Sequence, residues 1–386
     1  MDNMQITPNS MAEQFVRLYG REPEYIWRAP GRVNLIGDHT DYQGGLALPI
    51  ALPYATWVAS RTRSDQDIHV ATDYHQEQLV LPYAKRRALV ASATTLSGLT
   101  GFLSATWEIT KCAMGADLWI ATDVPVASGL SSSAALSLAL LATAYSLNHQ
   151  DFEPMAIIRQ AQEVENVYLG VSSGILDPMA IVLAREYSAI LVNAARETGT
   201  PVPFDYASAQ QRLWIVDTHT PRTLAGSGYQ QRVHETNQAR NQLGVAFLSD
   251  ASWEQVQTLK DPILRARSRH VIRENQRVQD VISAAAAGEW QRVKALFWQS
   301  HASLSQDFGV STPVLDATVT WLQEREIGAR VTGAGFGGSV IALGEAERES
   351  ELRALLTHHY QASGWDLPSV MAVPHPMGGL AQVGAP

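Results

Sequence analysis

Lysine is scarce in this chain: Lys85, Lys111, Lys260 and Lys294 are the only ones among 386 residues. None follows a glycine-rich loop, so the Gly-Lys-Ser/Thr of a Walker A phosphate loop is missing. Any phosphoryl transfer has to proceed without that lysine. Cysteine is scarcer still. Cys112 stands alone, which excludes an internal disulfide. No apolar run reaches the ~18–20 residues of a membrane span. The longest candidate, 134–147, is interrupted by Ser137, Thr143 and Ser146. The start, Met1-Asp-Asn-Met-Gln-Ile-Thr-Pro8, lacks the basic residues and apolar block of a secretion signal. These absences predict a cytoplasmic chain. Net positive charge is lacking too. At -9 the chain is a poor candidate for a nucleic-acid surface, which needs clustered Lys and Arg against phosphates. Arg265, Arg267, Arg269 and Arg273 do cluster, but Val271, Ile272 and Val278 beside them read as the buried side of a helix. The arginines then read as its solvated face.

What is present is a globular composition, 46% hydrophobic and 17% charged, with length for about two domains. Strands are expected at 25–27, 46–50, 55–60, 68–71, 116–121, 190–193 and 213–218, with helices over 98–114, from the Gly129 loop to about 147, and over 154–168. Beyond these the chain turns to long amphipathic segments at 230–243, 262–287, 289–304 and 314–325. A strand–Gly loop–strand unit (329–332, 339–343), a helix (346–363) and a short strand (370–373) follow. Glu197-Thr-Gly-Thr-Pro-Val-Pro203 reads as a break. A domain boundary is therefore expected near 195–210.

The densest chemistry lies in Arg28-Ala-Pro-Gly-Arg32-Val-Asn-Leu-Ile-Gly-Asp38-His39-Thr-Asp41-Tyr42-Gln-Gly-Gly45. Folding does not demand such a run of charged and hydrogen-bonding groups, and a loop hung between strands is where binding groups sit. Gly129-Leu130-Ser131-Ser132-Ser133-Ala134-Ala135 opens a helix, whose free N–H groups, with three hydroxyls, suit an anion. Gly333-Ala-Gly-Phe-Gly-Gly338 fits G-x-G-x-x-G, but a strand follows it, whereas the dinucleotide fingerprint opens a helix. Gly170-Val-Ser172-Ser-Gly174 fits the hydrolase elbow, yet a helix precedes it where a strand is required. Asp177, ahead of Pro178, reads equally as a helix-start residue or as a functional carboxylate.

The Gly31–Tyr42 loop, the Gly129–Ala135 loop and the Gly333–Gly338 loop together resemble, in order and spacing, the three motifs of the GHMP small-molecule kinases. The first is similar to the galactokinase form of its motif. The likeness continues through Glu165-Asn166, Gly174–Asp177, Arg222–Tyr229 and His301–Ser303. The resemblance implies an α+β fold, with a ribosomal protein S5-like N-terminal domain (1–200) and a ferredoxin-like C-terminal domain (201–386), the last segment a candidate to return to the first. It implies ATP-dependent phosphorylation of a sugar, D-galactose, at its C1 hydroxyl. Asp177 would act as base or hydroxyl orienter and Arg32 would offset charge on the migrating phosphoryl. Asp38, His39, Asp41, Gly174, Asp177 and Tyr229 would contact the sugar. Gly129, Leu130, Ser131, Ser132, Ser133 and Ala134 would hold the phosphates, and Ser133 and Glu165 would bind Mg2+. Gly335 and Gly337 would let the third loop pack closely on the active site.

The implied partners are galactose and Mg-ATP, with neither nucleic acid nor membrane, in a monomer or weak homo-oligomer. Three departures stand out: Asp38 where glutamate is common, Pro178 for glutamine and Ser339 for cysteine. The tryptophan that helps bind adenine in the family is not evident before 98–110. L-Arabinose or galacturonate kinases, a non-catalytic galactose sensor and a serine hydrolase built on Ser172 are the alternative readings.

Overall fold

Strand Tyr25–Asn34 keeps Pro30 and Gly31 inside it by means of a bulge, where the register with strand Pro49–Arg63 shifts between Pro30 and Arg32. The extra backbone re-aims the residues that follow. That is how the first half of the polar segment is strand rather than the loop expected from its sequence. A Cβ at Gly31 would sit 2.8 Å from the Leu130 carbonyl, so only glycine lets this strand run so close to the second glycine loop. The computed structural model describes residues 6–73, 78–92, 95–125, 128–171, 173–221 and 225–384. Ser172 and Arg222 lie outside them.

The first sheet has the order Ala381–Gln382, Tyr25–Asn34, Pro49–Arg63, Gly115–Thr122, Ile68–Thr72, Leu79–Leu81. Helix Ser132–Leu147 packs on its two longest strands. Ala and Leu surround this helix on every side, and eleven of its residues are buried. A helix apolar all round has to be interior. Its start, the glycine–serine loop, is thereby fixed from beneath.

A second, fully antiparallel sheet has the order Gly328–Val331, Ser339–Glu345, Gln211–Asp217, Ser369–Val373. A third joins Leu46–Ala47, Ser188–Asn193 and Thr198–Pro203. The expected break at 197–203 is therefore a strand. Pro201 and Pro203 are accommodated because it lies at the sheet edge, where a missing N–H costs no ladder bond. Helices Pro8–Tyr19 and Tyr83–Ala91 were not legible in the sequence. The long segments of the second half are helices Ala225–Leu243, Pro262–Ala286, Trp290–Ser303 and Pro313–Gln323.

One apolar cluster runs across both main sheets. Val33, Leu35, Ile36 and Leu48 pack with Ile215, Val278, Phe297 and Ile341. Each such side chain contributes about 1.5–3 kcal/mol on burial, so the polar loop is seated on a rigid bed. The arginines of helix Pro262–Ala286 are not all a solvated face. Arg267 donates to Glu235 at 2.6 Å and to the Asp307 carbonyl at 2.6 Å, and Arg269 pairs with Asp307. Neighbouring helices offer them carboxylates, which periodicity alone does not reveal.

Candidate active site

Arg32, re-aimed by the bulge, meets Asp177 from the first turn of helix Leu176–Leu183. Its Nε and Nη2 donate to one carboxylate oxygen at 2.7 and 2.6 Å, and its Nη1 donates to the Gly129 carbonyl at 2.7 Å. The other Asp177 oxygen accepts from the Ser131 hydroxyl. One guanidinium thus ties the carboxylate to the glycine–serine loop. Ser131 holds a left-handed backbone (φ 60°), unusual for a residue with a side chain and typical of functional strain. Its hydroxyl donates to Asp177, a contact the sequence did not suggest.

Beside this pair lies a cavity of about 210 Å³, and Arg32, Asp38, His39, Asp41, Gly174, Asp177 and Tyr229 all line it. Every residue expected to touch the sugar borders one space. Their electrostatic states differ. His39 is held neutral, its pKa pulled down to about 3 by burial, with Nδ1 2.9 Å from the Tyr42 hydroxyl and Nε2 3.1 Å from the Ala334 carbonyl. Asp41 is pushed up to about 6 by burial, with Asp177 and Asp38 adding repulsion. A Cβ on Gly174 would press to 2.9 Å from Asp41 Oδ2. Gly174→Ala should therefore raise the sugar KM about tenfold, roughly 1.4 kcal/mol, with kcat changed less than ~3-fold. Steady-state kinetics over a sugar titration checks this.

Asp38 borders the cavity, but its carboxylate is already engaged. Oδ2 pairs with Arg330 at 2.5 Å, and Oδ1 accepts from Asn34 Nδ2 (3.0 Å) and the Gly333 N–H (3.2 Å). Its backbone carbonyl lies 3.1 Å from His270 Nε2. Burial pushes the Asp38 carboxyl up, and Arg330 opposes that. Arg330 is wholly buried. It also donates to the Asn34 and Leu35 carbonyls at 3.3 and 3.0 Å and to Ser300 at 3.1 Å, with Glu274 at 3.9 Å. Burial alone would raise Glu274, yet Arg277, His270 and Arg330 bring it down to about 2. None of Arg330, Glu274 and His270 was picked out as a site residue from the sequence. The available signal was an arginine inside the apolar strand that precedes a glycine loop.

The glycine–serine loop delivers backbone more than side chains. Leu130 and Ala134 are core residues, with relative exposures of 1% and 2%. The N–H groups of Ser132, Ser133 and Ala134 precede the first helical bond, Ala135 N–H to the Ser131 carbonyl. Next to them opens an apolar cleft of about 590 Å³, walled by Leu99, Phe102, Ile120, Val124 and Leu136, with Ser132 and Ser133 at one end. Glu165, in the π-turn Val164–Tyr168, is 6% exposed. Burial raises its carboxyl, while the Ser173 and Ser133 hydroxyls lower it. Its Oε1 has no hydrogen-bond partner among the described residues. The third loop packs otherwise than expected: a Cβ at Gly335 would strike the Val310 carbonyl at 2.3 Å, while Gly333 and Ala334 face the cavity. Helix Pro154–Glu163 and the π-turn precede Gly170, where a hydrolase elbow requires a strand.

A carboxylate–guanidinium pair between a polar cavity and a helix start that abuts an apolar cleft is the layout of a small-molecule kinase of the GHMP class. Residues 98–185 match the GHMP kinases N terminal domain and 281–362 the GHMP kinases C terminal domain, within an α+β fold. Residues 13–62 match the galactokinase galactose-binding signature. A galactokinase of Roseiflexus sp. (strain RS-1) is 38% identical over 362 residues, covering 91% of each chain. One of Streptomyces coelicolor is 34% identical over 376 residues, covering 95% of this chain and 96% of that one. The chain belongs to the galactokinase family. The crystal structure of Lactococcus lactis galactokinase complexed with galactose superimposes with a TM-score of 0.87 at 28% identity, covering 97% of this chain and 99% of that one. Methanococcus jannaschii mevalonate kinase, at 18% identity and a TM-score of 0.67, shares the fold. No helix among the described residues is long and apolar enough to cross a membrane.

Proposed function

We propose that this chain transfers the γ-phosphoryl of ATP to the C1 hydroxyl of D-galactose. The observation that carries the reading is the Arg32–Asp177–Ser131 junction, which places one carboxylate at the shared boundary of the polar cavity and the phosphate loop. The sugar occupies the 210 Å³ cavity, with the Asp41 carboxylate and neutral His39 as hydrogen-bonding groups and Tyr229 as an apolar wall. Asp38 acts chiefly by fixing the loop through Arg330 and offers the sugar only what remains of its acceptor capacity. Adenine occupies the apolar cleft against Leu99 and Phe102, which explains why no tryptophan is needed ahead of that helix.

With both substrates bound, the sugar hydroxyl shares Asp177 Oδ2 with Ser131. Asp177 orients it and takes its proton as the new O–P bond forms, the bond from the γ-phosphorus to the bridging oxygen breaks and ADP leaves. Arg32 compensates the charge on the carboxylate and on the phosphoryl in flight. The backbone N–H groups at the helix start cradle the phosphates, in place of a Walker lysine. Nucleotide-dependent kinases of this kind use a divalent cation, which we take to be Mg2+ held by Ser133 and Glu165. The unpartnered Glu165 Oε1 and the nearby hydroxyl suit a hard cation. Among the described residues no three His, Cys, Asp or Glu side chains group as a metal cage; oxygens of the bound nucleotide would complete the shell that Ser133 and Glu165 begin. The cation, when bound, neutralises charge on the β- and γ-phosphate oxygens. We place the division of the chain in the connection after Pro203, with 381–382 returning to the first sheet.

ADP release measured with Mg-ATP over D-galactose, L-arabinose, galacturonate and D-glucose tests the reading. Galactose-dependent turnover is expected, at least ~100-fold above glucose, because an epimer leaves buried polar groups unpaired. Absence of ADP formation would leave the sensor, and ADP formation independent of sugar would mean an ATPase; either overturns the reading.

Protonation of Asp41 gives a pH signature. As pH falls through about 6 the carboxylate gains a proton and loses acceptor capacity. The galactose KM should rise by up to about tenfold per unit below that point and level off above it. Asp41→Asn should flatten the profile at a uniformly higher KM.

A further inference from the structure

Away from the cleft, helix Tyr83–Ala91 lies against helix Gly98–Ile109, and a pocket of about 200 Å³ opens between them. Tyr83, Arg86, Arg87, Ser104, Trp107 and Lys111 are among its walls. Arg86 is 4% exposed and lies over the Tyr83 ring at 5.3 Å. Its Nη1 is buried with no hydrogen-bond partner among the described residues. The Ser104 hydroxyl, wholly buried, has none either. Burial pulls the Arg86 guanidinium down from its ordinary value. The desolvation cost of such a group is one that native proteins rarely leave unmet.

The nearby carboxylates do not meet it. Glu108 is taken by Lys111 at 2.6 Å and Arg87 at 3.2 Å, and Asp67 accepts the Tyr83 N–H at 2.8 Å. Three cations and one carboxylate line the pocket, leaving two positive charges in excess. A guanidinium fork beside a hydroxyl donor suits a tetrahedral dianion. Trp107 and Val90 supply an apolar wall for a small organic group.

We infer that this pocket is a second anion site that binds phosphate or a small phosphate monoester, gripped by Arg86 and Ser104. Its far wall gives it a route to the catalytic cleft: helix Gly98–Ile109 presents Ser104, Trp107 and Glu108 to the pocket and Leu99 and Phe102 to the apolar cleft. Anion binding itself does not depend on the proposed sugar kinase activity.

Calorimetric titration of the full chain with inorganic phosphate and, separately, glycerol 3-phosphate tests it, at constant ionic strength and with galactose and a non-hydrolysable ATP analogue present. The wild type should show saturable binding. Arg86→Gln should weaken it at least ~10-fold, and Lys111→Ala, whose side chain is 75% exposed, should weaken it about threefold. Tighter binding of glycerol 3-phosphate assigns the site to a monoester, and equal binding to free phosphate. In anion-free buffer Arg86→Gln should melt no lower than the wild type, since it removes an unpaired buried charge. Absence of saturable binding, equal binding in all three proteins, or a lower melting point for Arg86→Gln would overturn the inference.

Discussion

Asp177→Asn should lower kcat for galactose-dependent ADP release by at least ~100-fold, the scale of a lost proton acceptor, with the galactose KM changed by less than about threefold. The asparagine oxygen can keep both bonds from Arg32, now at 2.7 and 2.6 Å. The amide nitrogen then faces Ser131 and the sugar hydroxyl, where it can donate but not accept. Geometry survives and the proton has nowhere to go. Thermal unfolding should change little, which separates this result from damage to the fold. Turnover within about threefold of the wild type would mean the carboxylate neither takes nor orients the proton.

The largest loss of stability is expected from Arg330→Met. Removing one partner of a buried ion pair costs about 3–5 kcal/mol, because the other charge stays behind in the interior. Here Asp38 and Glu274 both lose a cation, and the Asn34 and Leu35 carbonyls each lose a donor. Urea unfolding should show a midpoint lowered accordingly, and the sugar KM should rise as the 35–45 loop loses its anchor. Pairing Arg330→Met with Asp38→Asn should recover part of the loss, since the orphaned charge is gone, and the shortfall from additivity measures the coupling. A cost under about 1 kcal/mol would show that the pair is dispensable.

These two residues also mark what the sequence could and could not disclose. Arg32, His39 and Asp41 were legible because local density of chemistry, in a motif continuous in sequence, carried them, whereas Asp177, ambiguous by itself, stood out only through the family resemblance. The helices of the second half were legible from periodicity. Arg330 was not, because its meaning depends on Asp38, nearly three hundred residues away, and strand patterning says nothing of what faces a buried charge. The apolar cleft draws on Leu99, Ile120 with Val124, and Leu136, three separate stretches that only the fold assembles. Three serines at a helix start suggested an anion site, but the left-handed backbone of Ser131, which turns its hydroxyl to Asp177, leaves no trace in composition.

The pairing of Gln382 with Trp27 and of Ala381 with Arg28 gives the strand that carries Arg32 a neighbour on its outer side. That neighbour is synthesised about 350 residues after the strand it pairs with. Until then the strand presents bare N–H and C=O groups, an edge open to wrong partners. Closure of the first sheet must therefore wait until residues 381–382 have been made, and so distant a pairing is slow to find. A nascent chain stalled before residue 379 should be prone to aggregate, even with its catalytic loops fully translated.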